Sequence, residues 1–348
     1  ALSALPTDAG SRRALAELEL TWGRPREAWE ALRSLKADTT AATMWEEFGE
    51  RAVSEEQWSI AHEALVAALG VRRTPALALQ AASAALHAGV PSEVFTILPL
   101  PALEKDSVRT AREVVPVHVA ALVALGRGAD ADALVARFDR FIVPAQRMRL
   151  AQLVAMAWVR SGDLTRARAS IRAAGPEADS SEAAGWLALY EGRLGAARTL
   201  LHGSRSGSVE LAQAMGIVTR AQGDTAPMLG DAFLTLARGD SAGASTRFVA
   251  AAAEHVEVAP ALLLIAARLA ASAPDRAIPI WQRIVAEYPA SPEAVESELE
   301  WSRVLRRRGD IASATAHLEH LILSAPQSAL LPQARRELEL ARGAVPPG

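Results

Sequence analysis

A small residue recurs along this chain at a near-constant interval, and that recurrence limits the fold more than any other feature. The positions are Ala28, Ala61, Val94, Ala131, Ala167, Ala197, Ala244, Ala277 and Ala314, with spacings of 33, 33, 37, 36, 30, 47, 33 and 37. In the clearest copies a glycine stands five residues before the small residue: Gly23, Gly162, Gly192, Gly239 and Gly309. Apolar side chains follow at +4, as in Leu32, Ile171, Leu201, Phe248 and Leu318. A period of this length, built from helix-spaced apolar residues, describes a chain of helical hairpins. Glycine ends the first helix in a left-handed turn without a Cβ penalty. An Asp or Ser after it caps the second helix, and the small residue lets the two helices approach closely. One hairpin cannot bury its own apolar face, so neighbours must stack.

The interval of 47 is the exception. Helical patterns over Val209–Gln222 and Met228–Ala237 both precede Gly239, which is one helix too many for a regular repeat. The reading is an irregular or half repeat across 203–239. Composition agrees with an all-helical chain. Alanine, the best helix former, contributes 76 of the 348 residues, and aromatics are only 5%.

These residues resemble the tetratricopeptide repeat family. Trp45-Glu46-Glu47-Phe48-Gly49 followed by Ala61, Leu65 and Ala68 follows its W-x2-L-G…A-x3-F-x2-A pattern, with Ala52 where tyrosine is usual. Gly309, Ala314, Leu318 and Pro326 match its second half, as do Ala277, Trp281, Ile284 and Pro289. Gly185 and Gly216 take the small first-helix position in two middle repeats. The resemblance implies one continuous all-α, right-handed superhelical solenoid of about nine hairpins over 11–342. Its best-matching repeats lie at 260–326, a C-terminal capping helix at 328–342, and tails at 1–10 and 343–348. The last two repeats, with Tyr288-Pro289-Ala290-Ser291-Pro292 and Ala325-Pro326-Gln327-Ser328, are similar to those of bacterial periplasmic and outer-membrane adaptors.

That family places first helices along a concave groove that binds a partner peptide or helix. Carried over in register, the groove lining is Arg149, Gln152, Met156 and Arg160, then Trp186 and Tyr190, then Phe233. Leu262, Ala266 and Leu269 follow, and Arg303, Arg306 and Arg307 come last. Arginine suits carboxylates and aromatics suit anchoring. The alternative is that Trp186 and Tyr190 fill space between repeats. Trp22, Trp29, Trp45, Trp58, Trp281 and Trp301 read as packing residues.

Catalytic and cofactor chemistry find little support. Without cysteine there is no disulfide or thiolate site. Gly126-Arg127-Gly128-Ala129-Asp130-Ala131 fits G-x-G-x-x-A, but a dinucleotide site needs a strand before it, and Val117–Leu125 falls in a first helix. Gly203–Gly207 resembles a nucleophile elbow only loosely, with Arg205 at its centre. His317 and His320 lie on one helix face without an evident third ligand, and read as a solvated outer face. His118, in an apolar run, reads as a satisfied core residue. The net charge of −3 offers no basic excess for nucleic acid, and no apolar run approaches the roughly 20 residues of a membrane span. The expectation is therefore a non-enzymatic scaffold that binds protein and takes no cofactor or metal. Its setting would be the bacterial cell envelope, with a cytoplasmic regulatory adaptor or an accessory subunit of an enzyme as the alternatives.

Overall fold

The computed structural model describes residues 9–101, 107–204 and 207–343, and all regular structure among them is helical. Two compact units divide the chain: residues 1–161 with 165–175, and residues 162–164 with 176–348.

The first unit holds α1 (Ala9–Thr21), α2 (Pro25–Arg33), α3 (Thr39–Ser54), α4 (Trp58–Val71) and α5 (Pro75–His87). It continues with the short α6 (Val94–Ile97), then α7 (Val115–Ala124), α8 (Gly128–Phe138), α9 (Pro144–Ser161) and α10 (Leu164–Ala173). The glycine turns do what the repeat predicts. Gly23, Gly89, Gly126 and Gly162 all have positive φ, at the junctions of first and second helices. Between α3 and α4 the same conformation falls to Glu56, at φ 59°. The small first-helix position is used for close approach. A Cβ on Gly49 would stand 2.7 Å from Leu65 Cγ of α4.

The second unit holds α11 (Glu182–Tyr190), α12 (Leu194–His202), α13 (Val209–Val218), α14 (Pro227–Ala237) and α15 (Ser241–Glu254). It ends with α16 (Ala259–Leu269), α17 (Pro274–Glu287), α18 (Pro292–Arg307), α19 (Ile311–Ser324) and α20 (Leu331–Ala341). Asp240 and Asp310 cap α15 and α19, accepting from the Gly243 and Ser313 N–H groups. Ser181 and Ser291 cap the first helices α11 and α18 in the same way.

Pairing the helices around the nine anchor residues leaves two over, α13 and α20. Helix α20 is the expected cap, covering Leu299, Leu318 and Leu321 with Ala334, Ala341 and Leu338. Helix α13 is the expected extra helix. It packs on α12, while the next first helix, α14, packs directly on α11. The contact between α14 and the end of α11 is backbone on backbone. Ala226 N–H donates to Gly192 O at 2.7 Å, and a Cβ on Gly230 would lie 2.5 Å from Gly192 N. Arg198 of α12 ties down the exit of α13, donating to the carbonyls of Val218, Ala221 and Gly223. Gly216 is corrected here. It lies in the extra helix with open space around it, and the close-approach glycine is Gly230.

In both units first helices pack side by side, α5 on α7 and α7 on α9, then α11 on α14 and α16 on α18. Each of these contacts lies within one unit. Much of the core is alanine. In the first unit Ala28, Ala61, Ala64, Ala68, Ala81, Ala82 and Ala85 are all fully buried. Helix backbones come close where side chains are this small, which explains how so few aromatics suffice.

Candidate functional site

Helix α9 carries the best-formed part of the expected first-helix surface. Leu150, Ala151, Val154, Ala155, Ala157, Trp158 and Val159 turn inward. Arg149, Gln152, Met156 and Arg160, spaced by three and four residues, lie on the opposite stripe. Both arginines are exposed, and Gln152 and Met156 are half-buried. Arg149, Gln152 and Arg160 form no side-chain hydrogen bond or ion pair among the described residues. Four helix-spaced side chains with two uncommitted guanidinium groups and a thioether are suited to a partner that offers carboxylates beside an apolar residue.

The second unit places its predicted residues differently. Trp186 is half-buried and held in a chain. Its ring stacks on Tyr190 at 6.1 Å, and its indole N–H donates to Glu182 Oε1 at 3.1 Å. Glu182 Oε2 in turn accepts from Ser204 Oγ at 2.6 Å. Tyr190 is 9% exposed, and burial pushes its phenol up to about 12. Phe233 is 7% exposed and meets Phe248 of α15 edge-on at 5.1 Å. Tyr190 and Phe233 are therefore packing residues, removed from the exposed lining that register alone suggests. Leu262 and Ala266 are fully buried for the same reason, since α16 is apolar on nearly every side. Arg303 is also committed. It pairs with Glu300 and, at 3.2 Å, with Glu337 of α20, and donates to Gln333 at 3.1 Å. Arg306 meets the same Glu337 carboxylate at 3.1 Å. These two arginines dock the cap helix. Arg307 remains exposed without a partner among the described residues.

The histidine pair is solvated only in part: the His320 side chain is 64% exposed, while His317 is half-buried. His317 Nδ1 stands 3.2 Å from Glu298 Oε1, and His320 Nδ1 stands 2.8 and 3.0 Å from the two Glu298 oxygens. Glu298 is 5% exposed, and the His317 ring lies 3.9 Å from that of Trp301. The imidazoles satisfy a buried carboxylate of α18, a role with no sequence signal because the helices meet only in the fold. His118 is a core residue as expected. It is 3% exposed, and its Nε2–H donates to Leu98 O at 2.6 Å. Burial holds its pKa below the ordinary value, an effect partly offset by that carbonyl.

Tryptophans act as ties as well as filler. Trp29 N–H donates to Glu63, Trp158 to Asp132 and Trp45 to Leu32 O. Trp29, Trp45 and Trp281 are buried as expected. Trp58 stacks on His87 at 4.4 Å. Trp22 departs from the expectation: it is 60% exposed, with the Arg24 guanidinium 5.3 Å from its ring. The glycine motif at Gly126–Ala131 follows helix α7 and opens α8, and no strand occurs among the described residues. The turn reading holds. The central Arg205 of the loose elbow motif lies outside the described residues, as does the C-terminal tail from 344. No helix among the described residues is long and apolar enough to cross a membrane.

No known family profile matches the chain, and no curated protein matches it. Two solved structures align along almost all of it. One is the structure of Naa15/Naa10 bound to HypK-THB, at 12% identity and a TM-score of 0.32, covering 95% of this chain and 61% of that one. The other is the crystal structure of the P58(IPK) TPR domain, at 14% identity and a TM-score of 0.28, covering 96% of this chain and 97% of that one. The fold stands on the helices described above.

Proposed function

We propose that this chain is a non-enzymatic scaffold that uses its first-helix layer to bind a peptide or helix of a partner protein. The observation that carries the reading is the α9 stripe. Arg149, Gln152, Met156 and Arg160 form an ordered surface whose polar groups are unspent within the described fold. A solvated helix face spends long side chains on intrahelical pairs, as Arg283 and Glu287 do on α17. Here two arginines point away from any such carboxylate. The cell envelope of a bacterium is the setting we favour, on the resemblance of the last two repeats to envelope adaptors. A cytoplasmic adaptor and an enzyme's accessory subunit are the alternatives.

The test is affinity capture from envelope and cytosolic fractions, with wild type compared against an Arg149→Glu/Arg160→Glu double variant. Both positions are exposed and unpaired, so the fold is expected to be unaffected and capture of the partner to fall at least tenfold. Equal capture by both proteins removes α9 from the site. Trp186→Ala separates the two roles of that ring. As an anchor its loss costs about 2 kcal/mol of binding or more. As packing in the Glu182–Trp186–Tyr190 chain its loss lowers the melting temperature instead. The fraction that yields the complex decides between envelope and cytoplasm.

A further inference from the structure

Two second helices of the first unit, α8 and α10, leave a gap between them. Between α8 and α10 a cleft of about 570 Å³ opens down to α9. Val135 and Ala136 form one wall, Ala173 and Ala174 the other, and Ala151 and Val154 the floor. This volume lies within the range of small-molecule sites, which are apolar with a few placed polar groups. Asp132 at one end is already satisfied, accepting from Trp158 Nε1 at 2.6 Å and from the buried Ser170 Oγ at 3.2 Å. The other end, two helical turns or about 10 Å along α8, is different. There Arg147 spends one nitrogen, Nη2, on the Asp139 carbonyl and carboxylate, while its Nε is buried with no hydrogen-bond partner.

Nε is closed off from any ligand, whereas Nη1 is accessible and forms no hydrogen bond among the described residues, so a charged donor there is open to an acceptor. Asp139 offsets little of the guanidinium charge, because its side chain is 62% exposed and screened by water. The cleft thus joins an unsatisfied cationic donor to an apolar trough about 10 Å long. We infer that this cleft binds an amphipathic acyl carboxylate, with its carboxylate accepting from Arg147 Nη1 and its chain lying between α8 and α10. The site uses the inward side of α9 rather than its exposed stripe, and does not rest on the scaffold reading.

Decanoate is the probe, titrated into the full chain by calorimetry, with decan-1-ol and decyltrimethylammonium as neutral and cationic counterparts. Saturable binding of one decanoate per chain is expected, at least tenfold tighter than either counterpart. Arg147→Leu is expected to remove that preference for decanoate. Ala136→Phe and Ala173→Phe put bulk into the cleft from exposed wall positions, which keeps the test valid if Arg147→Leu disturbs folding. Both are expected to abolish binding while leaving the melting temperature unchanged. Binding that is equal for all three probes, that favours the cation, or that survives both phenylalanine variants overturns the assignment.

Discussion

Single side chains in this protein are placed by what they touch rather than by type. Glu56 shows the limit of the glycine rule. Its turn has the same left-handed geometry as Gly23 and Gly126, yet a residue with a Cβ occupies it. That conformation costs a non-glycine residue roughly 1–2 kcal/mol. Glu56→Gly is therefore expected to stabilise the protein by about 1 kcal/mol, read from its denaturant midpoint. His118 makes a pH-dependent case. Its folded pKa lies below the ordinary 6.5, so the unfolded chain binds the proton more readily. Its contribution to stability is complete well above 6.5 and declines as the pH falls through that value toward the folded pKa. His118→Gln is expected to flatten the acid side of a melting-temperature profile between pH 7 and 5. An unchanged slope would show that His118 does not couple to folding. The residues most misplaced by register alone, Tyr190, Phe233 and Leu262, are apolar or aromatic side chains for which a groove and a core look alike in sequence.

At the scale of the element, the extra helix is the informative one. Its two predicted helical patterns are both real, and the 47-residue interval is α13 added between regular pairs. The layer is rejoined beyond it by a contact that only glycine permits, Gly230 against the Gly192 turn. Gly230→Ala drives a Cβ into backbone and is expected to destabilise the fold by about 3 kcal/mol. Gly216→Ala meets nothing and should stabilise by about 0.8–1 kcal/mol through helix propensity. Thermal melting of the two variants distinguishes these opposite signs, and a tolerated Gly230→Ala would mean that α14 does not dock this closely on α11. The helix termini were legible because caps are local. Asp240, Asp310, Ser181 and Ser291 each bond an N–H three residues on.

Across the molecule, repetition makes stability a sum over neighbours, and the last neighbour matters most. Helix α20 closes the apolar face of the final hairpin, and Glu337 is shared by Arg303 and Arg306 at its centre. Glu337→Ala leaves two half-buried guanidinium groups without that carboxylate. A loss of roughly 1 kcal/mol or more is expected, with the amides of α20 the first to gain hydrogen-exchange rate. Exchange unchanged in α20 would show that apolar cover alone holds the cap.

The sequence by itself determined the all-α class, the nine hairpin anchors, the additional helix and the cap, because each depends on turns, caps and spacing within some 40 residues. Tertiary structure decided which polar groups remain available. Arg149 and Arg303 belong to the same sequence class, yet one is exposed and the other locks α20 to α18. Two histidines that read as solvated turn to a buried glutamate, and an arginine that drew no notice lines a cleft with only one of its nitrogens bonded. Those assignments depend on which carboxylate a neighbouring helix brings within 3–4 Å, and that distance exists only once the helices have packed.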